Sequence, residues 1–138
     1  STRAAVAKVA DALNLIHRID HRKFVQVRRD MPRILVKREA KNRYWHITGT
    51  CVLKYPDLLQ RSDARIALIL IHEATHARLH RAGIRSWPHI RERLERVCIK
   101  AEYRFAKRLE AAGWNVQQIL EYYADKLGMG SDKNGGSA

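Results

Sequence analysis

Five consecutive residues, His72-Glu73-Ala74-Thr75-His76, place two imidazoles and a carboxylate at a spacing that can do chemistry. Four residues of helix turn the chain by about 400°, so His72 and His76 stand one above the other on one face. Both rings can then aim a nitrogen at one Zn2+ about 2.0–2.1 Å away. Glu73 is rotated by about 100° from His72, within reach of a metal-activated water but outside the ligand set. A bound metal lowers the pKa of such a water toward about 7, and a nearby carboxylate takes its proton as it attacks a carbonyl. His72 and His76 are therefore candidate metal ligands, and Glu73 is the candidate general base. The pattern gains weight from its setting: an apolar run, Ile66 to Ile71, precedes it, and Ala74 and Thr75 inside it are uncharged.

A catalytic zinc takes three protein ligands and keeps one position open. His80 continues the same helix face, but one more turn carries it about 6 Å further along the axis, which makes it a support for the ligands or a cleft residue rather than a ligand. The arrangement that breaks the helix with glycine to return a third histidine is excluded, because Leu79 and Ala82 occupy the positions it needs. The next helix offers Glu92, Glu95 and Glu102. Glu102 lies about two turns beyond Glu95, on nearly the same face. Either of these two can supply the third ligand, and the bland alternative for both is a surface ion pair with the surrounding arginines.

The elements that must hold these residues are readable from periodicity. Val6, Val9, Ala10, Leu13 and Ile16 predict an amphipathic helix from about Ala4 to Ile19. Short β-branched runs at Phe24–Val27, Ile34–Val36, Tyr44–Thr48 and Cys51–Leu53 predict a small sheet of about three strands, with a hairpin near residues 40–43. Ser62 or Asp63 caps a helix running from about Ala64 to Arg81, whose first half is apolar all round and must be buried. Gly83 stops it. A further helix spans about His89 to Ala111, and a last one about Val116 to Leu127. Residues 1–127 read as one domain of α+β class, and the glycine- and serine-rich stretch 128–138 as a flexible tail.

On these residues the sequence resembles the gluzincin branch of zinc metallopeptidases, which pair H-E-x-x-H with a downstream glutamate. The order of helix, small sheet, motif helix and glutamate helix is similar to the reduced core called a minigluzincin. The string from His72 to His80 is similar to the H-E-x-x-H-x-x-L-H form of ImmA/IrrE-like members. The resemblance implies a zincin-like minimal fold and a metallopeptidase activity on a peptide or protein substrate. It favours Glu95 as the third zinc ligand, because a small residue, Cys98, follows at the third position as in the family's glutamate motif. Ile99 departs from that motif, which often places Asp or Asn there to hold a ligand histidine; Glu102 could make that bond instead. The family also implies that substrate adds as a strand to the sheet edge, here Tyr44–Thr48, where His46 either contacts substrate or simply faces solvent. Stabilising the oxyanion needs a further donor, for which Tyr55, Tyr103 and His80 are candidates. The resemblance covers about residues 64–106, and beyond them it is architectural.

Composition frames the partners. The 138 residues carry 27 Lys and Arg against 14 Asp and Glu, a net charge of +13. Such a field attracts acidic protein segments or nucleic acid, although no nucleic-acid-binding motif accompanies it. Arg78, Arg81 and Arg85 on one side of the motif, and Arg91, Arg93 and Arg96 on the other, favour an acidic substrate or partner. The competing reading is a catalytically silent zincin-fold basic module that binds nucleic acid or an acidic protein. Cys51 and Cys98 form no C-x-x-C pair, so a thiolate metal site is not expected, and two isolated cysteines suit a reducing, cytoplasmic setting. No apolar run approaches the roughly 20 residues needed to span a bilayer. Oligomeric state leaves no mark on the sequence.

Overall fold

The computed structural model describes residues 2–38, 43–45, 49–84 and 87–129, with backbone alone at 43–45. The protein is α+β and mostly helical. Helix α1 (Thr2–Ile19) buries Ala5, Val9, Ala12, Leu15 and Ile16 along one stripe. Helix α2 (His21–Asp30) follows directly, its start fixed by Asp20, whose carboxylate accepts from the Lys23 N–H at 3.0 Å.

Helix α2 corrects the strand expected at Phe24–Val27. Phe24 and Val27 stand three residues apart on one helical face, Val27 buried and Phe24 half-buried against the core. Burial at that spacing overrides the local β preference of the two valines. The Asp20 cap was the signal for it.

Strands β1 (Arg33–Lys37), β2 (Arg43–Trp45) and β3 (Thr50–Lys54) form one sheet in the order β1-β3-β2. The expected pairing across residues 40–43 is replaced by another. Strand β3 lies in the middle, parallel to β1 and antiparallel to β2, with Tyr44 opposite Cys51. Residues 39–42 and 46–48, including His46, lie outside the described residues, as does 130–138 of the expected tail. Strand β3 is buried along Thr50 to Leu53, as a central strand must be. It leads straight into a short helix, α3 (Tyr55–Leu58), that the sequence reading did not foresee.

Helix α4 (Asp63–Arg81) is the centre of the packing, in contact with α1, α2 and α5 (Arg91–Ala111). Ser62 caps it by accepting from the Arg65 N–H at 3.1 Å. Ile66, Ala67, Leu68, Leu70 and Ile71 are fully buried. Each leucine or isoleucine so placed is worth about 1.5–3 kcal/mol, enough to hold the helix in the interior while its second half carries polar groups. Gly83, at φ 83°, ends the helix with its N–H on the His80 carbonyl and the Ile84 N–H on that of Leu79. Helix α6 (Gln117–Lys126) packs on α5. One apolar cluster runs from Ala5 on α1 to Tyr123 on α6. Among the described residues, no helix is long and apolar enough to cross a membrane.

Candidate metal centre

The first half of α4 is locked in the core, and this fixes the rotation of the second half. His72 and His76 therefore emerge on the side that meets α5, with ring centroids 4.9 Å apart. Across from them, α5 presents Glu95, Cys98 and Glu102, and α6 adds Tyr123. The spacing of the two helices then decides which atoms meet.

Glu95 Oε1 is the point of convergence. It lies 2.8 Å from His76 Nε2 and 3.5 Å from His72 Nε2. A tetrahedral shell at zinc-like bond lengths sets neighbouring donors about 3.3 Å apart, so the Glu95 oxygen already stands near that separation from each imidazole nitrogen. The Cys98 sulfur belongs to the same group, and its four donor atoms lie within 4.8 Å of one another. The side chains of Glu95, His76 and His72 are 45%, 31% and 22% exposed, so the group has an open flank. Cys98 closes the other flank, fully buried.

Glu102 does different work. Its Oε2 accepts from His72 Nδ1 at 2.8 Å, and its Oε1 accepts from the Tyr123 hydroxyl at 2.8 Å. A carboxylate only accepts, so the His72 proton on that side sits on Nδ1 and Nε2 is the nitrogen turned toward Glu95. Tyr123 in turn fixes the carboxylate, which is itself buried. The chain Tyr123–Glu102–His72 thus spans three helices and sets the orientation of one ring.

Electrostatics follows from burial and these partners. Burial alone would lower the His72 pKa, but the hydrogen bond and charge of Glu102, with the charges of Glu73 and Glu95, raise it to about 8. Burial raises the Glu73 pKa, partly offset by His72 and His76. Burial raises the Cys98 thiol to about 12, with Glu95 and Glu102 adding to the effect, and raises the Tyr123 phenol as well. Among the described residues, the Glu73 carboxylate has no hydrogen bond or ion pair.

The residues named from sequence are thus distributed unevenly. His72, His76 and Glu95 come together, Glu102 reaches His72, and Glu73 stands beside them, close enough to feel both imidazoles. Tyr55 is engaged elsewhere, its hydroxyl accepting from Arg38 Nε at 2.8 Å. Tyr103 packs against the core. Cys98 and Tyr123 were missed as members of the site. Cys98 stands one turn after Glu95 and so shares its face, a signal present in the spacing. Nothing local marks Tyr123, which arrives through the packing of α6. The chain matches no protein-family model, and neither curated proteins nor solved structures show a significant similarity to it.

Proposed function

We propose that the protein is a zinc-dependent metallopeptidase of gluzincin type on a zincin-like minimal fold, acting on a peptide or protein. The observation that carries this reading is the convergence of His72 Nε2 and His76 Nε2 on one oxygen of Glu95, with Glu102 holding the far side of the His72 ring. His72, His76 and Glu95 are the residues that would hold the ion. The bound ion supplies Lewis acidity and makes water acidic enough to give up a proton near neutral pH. Glu73 would accept that proton and pass it to the leaving amine. Glu102 is a positioning residue that fixes the His72 tautomer and ring plane. The two free, buried cysteines fit a reducing, cytoplasmic setting.

Metal content and hydrolysis of a casein or mixed-peptide substrate test this reading together. Wild-type protein is expected to hold one zinc per chain and Glu95→Ala to hold none. Glu73→Gln is expected to keep zinc and lose hydrolysis by at least about a hundredfold. Full activity in Glu73→Gln overturns the mechanism, and zinc retained in Glu95→Ala overturns the ligand set.

A second reading rests on Cys98. If its sulfur completes a four-donor shell, the centre is closed and the protein is a silent basic module that binds an acidic protein or nucleic acid. The Co2+ form separates the two, because a thiolate ligand adds intense near-ultraviolet charge-transfer absorption that a His2Glu site lacks.

A further inference from the structure

A cavity of about 440 Å3 opens beside the candidate centre. Its size falls in the range of small-ligand sites, roughly 300–1,000 Å3. His72 and Glu95 line it, and so do Arg61, Arg65 and Tyr122. Arg61 belongs to the turn before α4, and Arg65 follows four residues later in the first turn of the helix. Both are half-buried, which weakens the screening of their charges by water.

The acidic residues near this turn are taken up by other cations. Arg81 pairs with Asp30 and Arg108 with Asp20, while Asp63 and Asp57, the acidic residues near this turn in sequence, pair with Lys8 and Lys54. Among the described residues, no ion pair engages Arg61 or Arg65. The carboxylates that share the cavity are committed: Glu102 to His72 and Tyr123, and Glu95 to the two histidines. With a divalent cation in place, these two acidic charges are balanced and the two guanidiniums stay uncompensated. A cavity of this kind selects an anion with a planar pair of acceptors.

We infer that the Arg61–Arg65 cavity is a subsite for a carboxylate of the substrate, carried close to the bond that the metal centre cleaves. The inference rests on the metallopeptidase reading and adds to it a substrate class. A peptide offers such a carboxylate from two sources, an acidic side chain or the chain's own C-terminus. The surface excess of positive charge brings acidic chains to the protein, and this pair discriminates within the cleft.

Three hydroxamates of equal size, each anchored by its hydroxamate on the metal, test the inference on Co2+-loaded protein. These are HONHCO-CH2-CO-Glu-NH2, HONHCO-CH2-CO-Gln-OH and the neutral HONHCO-CH2-CO-Gln-NH2, followed through the visible cobalt spectrum. At low salt, at least one anionic probe is expected to bind roughly 10–100-fold more tightly than the neutral one. Preference for the first assigns the side chain and preference for the second the C-terminus. The gap is expected to narrow in Arg65→Gln and in Arg61→Gln, and with rising salt. The cobalt spectrum of each variant reports whether its centre is intact. Equal affinities for all three probes in cobalt-loaded protein overturn the inference and leave the metal reading standing. Tighter binding of inorganic phosphate than of either anionic probe, lost in the same variants, overturns the carboxylate assignment. Failure to take up Co2+ at all overturns the metal reading and the inference with it.

Discussion

Asp30 and Glu102 are both buried carboxylates that bind side chains of α4, and their fates differ. Asp30 ends α2 and accepts from Arg81 at 2.6 Å, near the close of α4. Arg81 is half-exposed, so that link runs outward into water and clamps one helix to another. Glu102 lies at the α4–α5 crossing and accepts from His72 and Tyr123, so its link runs inward. It ends on an imidazole whose other nitrogen faces Glu95 at an open cavity. The same kind of group thus holds a fold together in one region and aims a ring in the other. The difference lies in what the partner does with its remaining atoms.

The contrast breaks most sharply at Glu102. Glu102→Ala leaves His72 and Tyr123 without their acceptor, and zinc affinity is expected to fall about 10–100-fold in chelator competition. Asp30→Ala is expected to leave that affinity unchanged and to cost about 1–3 kcal/mol of stability in urea unfolding, through the loss of the Arg81 bond. A zinc effect of equal size in the two variants would erase the distinction.

The pH dependence of the metal-free protein sharpens it. The fold raises the His72 pKa from 6.5 to about 8, so it favours the protonated ring. That contribution, about 2 kcal/mol, is fully present below pH 6.5 and is lost as pH rises through about 8. Urea unfolding in chelator at pH 6 and pH 9 is expected to show the difference, smaller in Glu102→Gln. On the proposed metal reading, zinc affinity is expected to run the other way and increase toward pH 8, because the ion would compete with the proton. The smallest change is Tyr123→Phe, which removes one hydrogen bond to Glu102. It is expected to cost about 1 kcal/mol of stability, with a loss of zinc affinity well below that of Glu102→Ala.

Legibility in the sequence followed the range over which each determinant acts. The bounds of α4 were readable because the Ser62 cap, the apolar run and Gly83 are all local. Glu95 and Glu102 were readable as a pair because helical spacing puts them on one face, and the bond from Glu102 to His72 answered the gap left by Ile99. Helix α2 was misread because β-branched residues speak for a strand until their burial is known. The sheet order was hidden because β3 accepts partners on both edges, and a chosen register depends on tertiary packing rather than on any strand alone. Tyr123 was hidden for the same reason, as its role exists only once α6 lies against α5.

The reach of that tyrosine also sets an order in time. Chains emerge from the ribosome from the N-terminus onward, so His72 appears first, then Glu95 and Glu102, and Tyr123 last. A nascent chain stopped before α6 already carries the histidine pair and its glutamate, yet lacks the hydroxyl that steadies the carboxylate holding His72. The hydrogen-bonded chain that orients His72 is therefore complete only when the last described helix docks.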